Sequence, residues 1–240
     1  MSKLETEFVD LKDARIAFRQ FGSGTILMLL HGNSQSKKIF SRYQTEYFKM
    51  YNTIAVESRG HGESESNDDE YSIDQYSNDI IEFCETKGIK EAYLIGYSDG
   101  GNISLLLAKK APTIFKKIVA ISPNYLVSGM KDGSLRMIRI MVRLFKLLGR
   151  IGINTKKSIM RFVLMLNDIG ITDDELRSIQ TNIKILYAEN DFVKEEHIKR
   201  ISELVPNSTL KKINHCNHLT ILDKKETIAI IKPYLRDYEV

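Results

Sequence analysis

Apolar residues along this chain gather in short runs, and between those runs they recur at helical spacing. The runs at 25–30, 53–56, 92–97, 117–122, 183–188 and 209–213 are rich in β-branched and aromatic residues, and each predicts a strand. Segments 39–50, 73–87, 102–111, 193–205 (stopped by Pro206) and 219–231 carry the helical spacing. Upstream, 5–10 and 14–21 read as a hairpin turning at Lys12-Asp13. Strands and helices that alternate, with apolar strands, predict an α/β fold. Its sheet is mostly parallel and doubly wound, of about eight strands, with helices on both faces.

The alternation stops after Pro123 and resumes at Asn182. Residues 124–181 have no strand pattern and read as helical hairpins, a cap inserted into a core built from 1–123 and 182–240. Within it Arg136, Arg139, Arg143, Lys146 and Arg150 recur at steps of three and four. On a helix they form one stripe roughly 80° wide, at about 100° per residue. All else from 135 to 150 is Met, Ile, Val, Leu, Phe or Gly. One reading is a buried cap helix with a solvated basic edge. The others are a membrane-surface helix, or a lid that receives anionic substrates. The apolar remainder suggests a greasy pocket wall, with Met141 and Phe145 as substrate-binding positions.

Composition narrows the class. The chain has 240 residues, 42% hydrophobic and 28% charged, with net charge +4 and no Trp. That suits a globular protein with a sizeable core. Lys and Arg are spread along it, so nothing asks for a nucleic-acid partner. Segment 1–7 lacks an apolar leader core, and no apolar run nears the roughly 18–20 residues that span a bilayer. The expectation is a cytoplasmic monomer or homodimer without stable membrane insertion, any weak surface association running through the cap. Of the two cysteines, Cys84 suits a packing role and Cys216 lies two positions before His218. His215 and His218 lack a third convergent ligand nearby, so no metal is expected, and no cofactor either.

The chemistry concentrates at Gly96-Tyr97-Ser98-Asp99-Gly100, between a predicted strand and a predicted helix. A serine at such a turn is strained and pushed clear of the sheet, while the following helix aims free N–H groups at the site. Side chains at 96 or 100 would collide with the adjoining strand and helix. Ser98 therefore reads as a nucleophile, and it needs a base oriented by a third group. In the order serine, acid, histidine, Asp191 follows the strand 183–188, with Glu189 as reserve. Two histidines compete for the base, His215 and His218; His218 is favoured because its loop would descend toward Ser98.

These residues carry a family resemblance over nearly the whole length. The chain resembles a capped serine hydrolase of the α/β-hydrolase fold. His31-Gly32-Asn33 resembles that family's oxyanion loop, and Ser58-Arg59-Gly60-His61-Gly62-Glu63-Ser64 its Arg-Gly-x-Gly-x-Ser segment. Glu57 departs from the aspartate that often opens that segment. Carried over, the resemblance implies Ser98, Asp191 and His218 as the triad, with the Asn33 and Asp99 backbone N–H groups as oxyanion hole. Asn33 and Tyr97 join Met141 and Phe145 as expected substrate contacts. Haloalkane dehalogenases and epoxide hydrolases of the fold place an aspartate where this chain has Ser98, so both are set aside. The implied activity is cleavage of a carboxylic ester or thioester of a small, partly apolar molecule. C–C or C–N hydrolysis by the same triad, and a non-hydrolytic binding protein, are the alternatives.

Overall fold

The computed structural model describes residues 4–66, 68 and 70–236; Met1–Lys3 of the segment read for a leader lie outside them. The sheet is built from β1 (Glu7–Asp10), β2 (Ala14–Phe21), β3 (Ile26–Leu30), β4 (Asn52–Val56), β5 (Glu65–Ser66), β6 (Ala92–Tyr97), β7 (Phe115–Ile121), β8 (Asn182–Asn190) and β9 (Ser208–Asn217). They run in the order β1-β2-β4-β3-β6-β7-β8-β9, with β5 paired to β2. The first hairpin and the β2–β4 and β2–β5 pairs are antiparallel, and every pair from β4 to β9 is parallel. Both faces of the central strands are buried, so their side chains are apolar in succession and divide alternately between two cores. Met28 and Leu30 enter one core and Leu27 and Leu29 the other.

The first core is covered by α1 (Ile73–Thr86), α2 (Asp99–Lys110), α5 (Asp173–Ser178) and α6 (Glu195–Leu204). The second is closed by α7 (Lys225–Leu235) and by Phe40, Tyr43 and Phe48 from the β3–β4 connection. That connection was expected to be a helix over 39–50. It is instead a 3₁₀ turn, Lys37–Phe40, followed by a π-helical turn, Tyr43–Tyr47. The wider turn lets Tyr43 and Phe48, five residues apart, pack their rings 5.5 Å apart on one side. The expected helix 219–231 also shifts. The Asn217 side chain accepts from the N–H groups of Leu219 and Thr220, which holds a tight turn, and α7 begins only at Lys225.

Between β7 and β8 the chain leaves the sheet through α3 (Asp132–Arg150) and α4 (Lys156–Leu164). Met160 and Leu164 of α4 enter the first core, and α5 packs against α2 and α6. Helix α3 lies outermost. It buries only Leu135, Ile138 and Val142 along its length, Leu135 and Ile138 in a small cluster with Met130. The expected buried helix with one solvated edge is thus half right: the basic edge is exposed, but so are Met137, Ile140, Leu144 and Leu147. No helix among the described residues is long and apolar enough to cross a membrane.

Candidate active site

The site forms where β6 passes into α2. Ser98 sits between them with φ +55° and ψ −115°, a backbone conformation that non-glycine residues rarely adopt. It is held there by Ser98 N–H donating to the Ile121 carbonyl at 2.8 Å and Asn102 N–H donating to the Ser98 carbonyl at 3.0 Å. The two flanking glycines are steric necessities. A Cβ at Gly96 would lie 2.1 Å from the Gly100 carbonyl oxygen, and one at Gly100 would lie 2.1 Å from that of Leu30. Because the turn is that tight, α2 starts at Asp99, three residues earlier than the apolar pattern indicates.

The Ser98 Oγ lies 3.0 Å from His218 Nε2, and His218 Nδ1 lies 2.7 Å from Asp191 Oδ1. His218 and Asp191 are buried; Ser98 is partly open. Three further donors fix the carboxylate: the Ser122 hydroxyl and the Ala188 N–H on Oδ2, and the Val193 N–H on Oδ1. Burial pushes the Asp191 carboxyl upward, but His218, Ser122 and the Ala188 N–H outweigh it, and the group is held below the usual carboxylate range. His218 is clamped in turn. Phe192 stacks on its ring at 4.6 Å, and the Tyr97 hydroxyl donates to its backbone carbonyl at 2.7 Å. His215, the competing histidine, is exposed on the far end of β9, its N–H donating to Glu189. Glu189, the acceptor of that bond, is exposed. Cys216 is buried, its thiol donating to the Ile213 carbonyl.

Gly32 abuts the serine, and a Cβ there would stand 2.9 Å from Ser98 Cβ. The bend from Gly32 into Asn33 is set by His31, whose Nδ1–H donates to the Gly32 carbonyl while Nε2 accepts from Ser58 N–H. Burial keeps that ring neutral, below its ordinary pKa. The Asn33 amide donates to Asp99 Oδ2 at 3.0 Å and to the Arg161 carbonyl at 2.8 Å, tying the turn to α4. As first residue of α2, Asp99 has no intrahelical partner for its N–H. Its side chain is buried, and burial pushes the carboxyl up to about 6, against the opposing pull of Asn33 and His218. Glu57, where the family pattern has an aspartate, takes the ammonium of buried Lys37 at 3.0 Å and the Glu63 N–H at 2.7 Å, which pins loop 57–64.

A cavity of about 170 Å³ opens over Ser98 and His218, bordered by Asn33, Tyr97, Met137, Ile138, Phe162 and Leu219. A smaller space of about 20 Å³ lies on the Asp99 side, against Asn102 and Asn124. Asn33 and Tyr97, two of the positions expected to contact substrate, border this cavity. Met141 and Phe145 are not among its lining residues. The face of α3 that meets the cavity is one turn nearer its N-terminus, at Ser134, Met137 and Ile138, and Phe145 packs on Phe162 instead, 5.4 Å away. Ser122 and Phe192 lie outside the motifs that point to the site. Phe192, next to Asp191, is signalled only by adjacency, and Ser122 only by ending its strand.

A sequence profile described as alpha/beta hydrolase fold matches residues 25–145, half of the chain. The chain belongs to the α/β-hydrolase fold family. It is 31% identical over 113 residues to 2-(acetamidomethylene)succinate hydrolase of Mesorhizobium japonicum, a match covering 47% of this chain and 41% of that protein. Matches to the curated relatives therefore span less than half of those proteins' length. A crystal structure of E-2-(acetamidomethylene)succinate hydrolase superposes with a TM-score of 0.80 at 19% identity, covering 97% of this chain and 99% of that one. Est816, described as an N-acyl homoserine lactone degrading enzyme, superposes with a TM-score of 0.76 at 20% identity, covering 95% and 100%. At such identities the superpositions show the fold.

Proposed function

We propose that the chain is a serine hydrolase that cleaves a carboxylic ester or thioester of a small, partly apolar substrate through an acyl-enzyme. The observation that carries this reading is the continuous line from Ser98 Oγ through His218 to Asp191, at 3.0 and 2.7 Å. As the Ser98 oxygen attacks the carbonyl carbon, His218 Nε2 takes the hydroxyl proton. Asp191, ionised and anchored by Ser122 and two backbone N–H groups, holds the imidazole in the tautomer with Nδ1–H and stabilises the imidazolium. The Asn33 and Asp99 N–H groups take the oxyanion of the tetrahedral intermediate. His218 returns the proton to the leaving alkoxide or thiolate. It then deprotonates a water that hydrolyses the acyl-enzyme and restores Ser98.

Residues 124–181 act as the cap, with Met137, Ile138 and Phe162 as the wall that meets the substrate's apolar part. A second reading, cleavage of an amide C–N bond by the same residues, is favoured by the 31% identity to a hydrolase whose substrate name contains an acetamido group.

A fluorophosphonate probe should label the native chain and leave Ser98→Ala unlabelled. On p-nitrophenyl esters, His218→Ala should lose on the order of 10⁴-fold in kcat and His215→Ala little. Unlabelled native protein would favour a binding protein, and collapse in His215→Ala alone would move the base. Turnover of p-nitroanilides in preference to the matching esters would shift the assignment to the amide reading.

A further inference from the structure

Helix α3 meets the protein along only about a third of its circumference. At about 100° per residue, the buried residues Leu135, Ile138 and Val142 mark one side. Turned from that side lie two solvent-facing stripes, their centres about 100° apart. One is basic, with Arg136, Arg139, Arg143, Lys146 and Arg150, all exposed. None of these five makes an ion pair with a described residue. The other is apolar, with Met137, Ile140, Leu144 and Leu147 exposed at 49%, 54%, 43% and 57%. It continues past the helix end into Ile151, exposed at 71%, and Ile153. Seven of the ten exposed large hydrophobic side chains among the described residues fall between 137 and 163. Single exposed apolar side chains are ordinary on a protein surface, but a contiguous stripe of them marks a contact surface.

Charge says what that contact is. From Gly133 to Asn167 there are eight Lys and Arg and no Asp or Glu. The whole chain has net charge +4, so the remainder of the molecule is net negative. Two copies meeting through this face would bring their positive charges together, which opposes self-association. A nucleic acid would engage the charges and leave the apolar stripe in water. A surface that takes both stripes must be negative outside and hydrocarbon beneath.

We propose that α3 and its turn into α4 form a docking surface for an anionic phospholipid bilayer. The helix lies in the interface plane, with Ile140, Leu144, Leu147 and Ile151 entering the headgroup–acyl boundary and the arginines on the lipid phosphates. Met137 belongs both to the apolar stripe and to the lining of the cavity over Ser98, so docking brings the cavity's rim to the membrane. The surface needs no catalytic residue.

Flotation of the full chain with vesicles tests this. Vesicles of phosphatidylcholine with about 30% phosphatidylglycerol should carry the protein, pure phosphatidylcholine should not, and about 0.5 M salt should release it. The triple variant Arg139→Gln, Arg143→Gln, Lys146→Gln should bind on the order of 100-fold more weakly, at roughly five-fold per charge. Leu144→Ser with Leu147→Ser should also lose binding. Both variants change exposed positions, and unchanged melting curves verify their folding. Ser98→Ala should bind as the native chain does, which separates docking from any outcome for the chemistry. Equal binding to both vesicle types, indifference to the charge variant, or no binding at all would overturn the proposal. A dimer in sedimentation that Leu144→Ser with Leu147→Ser dissolves, without vesicle binding, would replace the bilayer with a second copy of the chain.

Discussion

The turn at Ser98 and helix α3 border the same cavity, yet one is gripped on every side and the other on one side only. Around the turn, glycines 32, 96 and 100 leave no room for a methyl group, and the backbone bonds on both sides of Ser98 are made. Around α3, three residues face inward, and a Cβ added at Gly133 would meet nothing within 4 Å. The contrast separates two requirements. Bond-making groups must be held to a fraction of an ångström, so they sit on sheet strands and helix ends. A wall that admits substrates, or meets an outside surface, gains from shallow anchoring.

One substitution made in both places tests the contrast most strongly. Gly100→Ala forces a methyl group against the Leu30 carbonyl and should cost about 3 kcal/mol or more by denaturant titration. Gly133→Ala, in open space within a helix, should leave stability unchanged or raise it by about 0.5 kcal/mol. A tolerated Gly100→Ala would mean that the turn is far less rigid than its packing implies.

The seam between the two regions is Asn33, which bonds both Asp99 and the carbonyl of Arg161 on α4. Asp99, pushed up to about 6 by burial, keeps its proton in the folded chain at a pH where the unfolded chain has lost it. Folding is therefore penalised as the pH rises through about 4 to 6, by roughly 3 kcal/mol in all at about 1.4 kcal/mol per pH unit. Relative to Asp99→Asn, the native chain should gain most of that stability between pH 7 and pH 4, about 2.4 kcal/mol. His31, His61 and His197, held neutral by burial, act in the opposite direction over the same range, but they do so in both proteins and cancel in the difference. Parallel stability curves for the two proteins would show that Asp99 is solvated and the seam open.

The smallest effect sharpens the boundary of the wall. Met137→Ala should shift kcat/KM among acyl lengths by a few-fold per carbon, at most about 0.8 kcal/mol per methylene, whereas Met141→Ala should leave the length profile alone. The reverse result would put the wall one turn further along α3.

Most of the sheet was legible because its central strands are buried on both faces and so written as continuous apolar runs. Ser98, Asp191 and His218 were legible because each sits just past a strand end, where local pattern and chain order agree. What was hidden depends on contacts distant in sequence. Ser122 reaches Asp191 across 69 residues, from a strand end with no motif of its own. The π-helical turn at Tyr43–Tyr47 follows from aromatic packing, which helical periodicity does not describe. On α3 the failure was one of phase. An all-apolar helix with one basic stripe does not say which of its apolar sides faces inward, so Met141 and Phe145 stood in for Met137 and Ile138.

The conformation of Ser98 has a consequence for anyone selecting variants of this chain. A residue with a side chain held at φ +55° raises the energy of the folded state by roughly 1–3 kcal/mol, and glycine would adopt the same angles freely. A screen that rewards heat resistance alone is therefore drawn toward Ser98→Gly, which removes the hydroxyl. Survivors of such a screen have to be sorted by turnover as well as by melting, because with Ser98 as the proposed nucleophile the sturdier protein is the inert one.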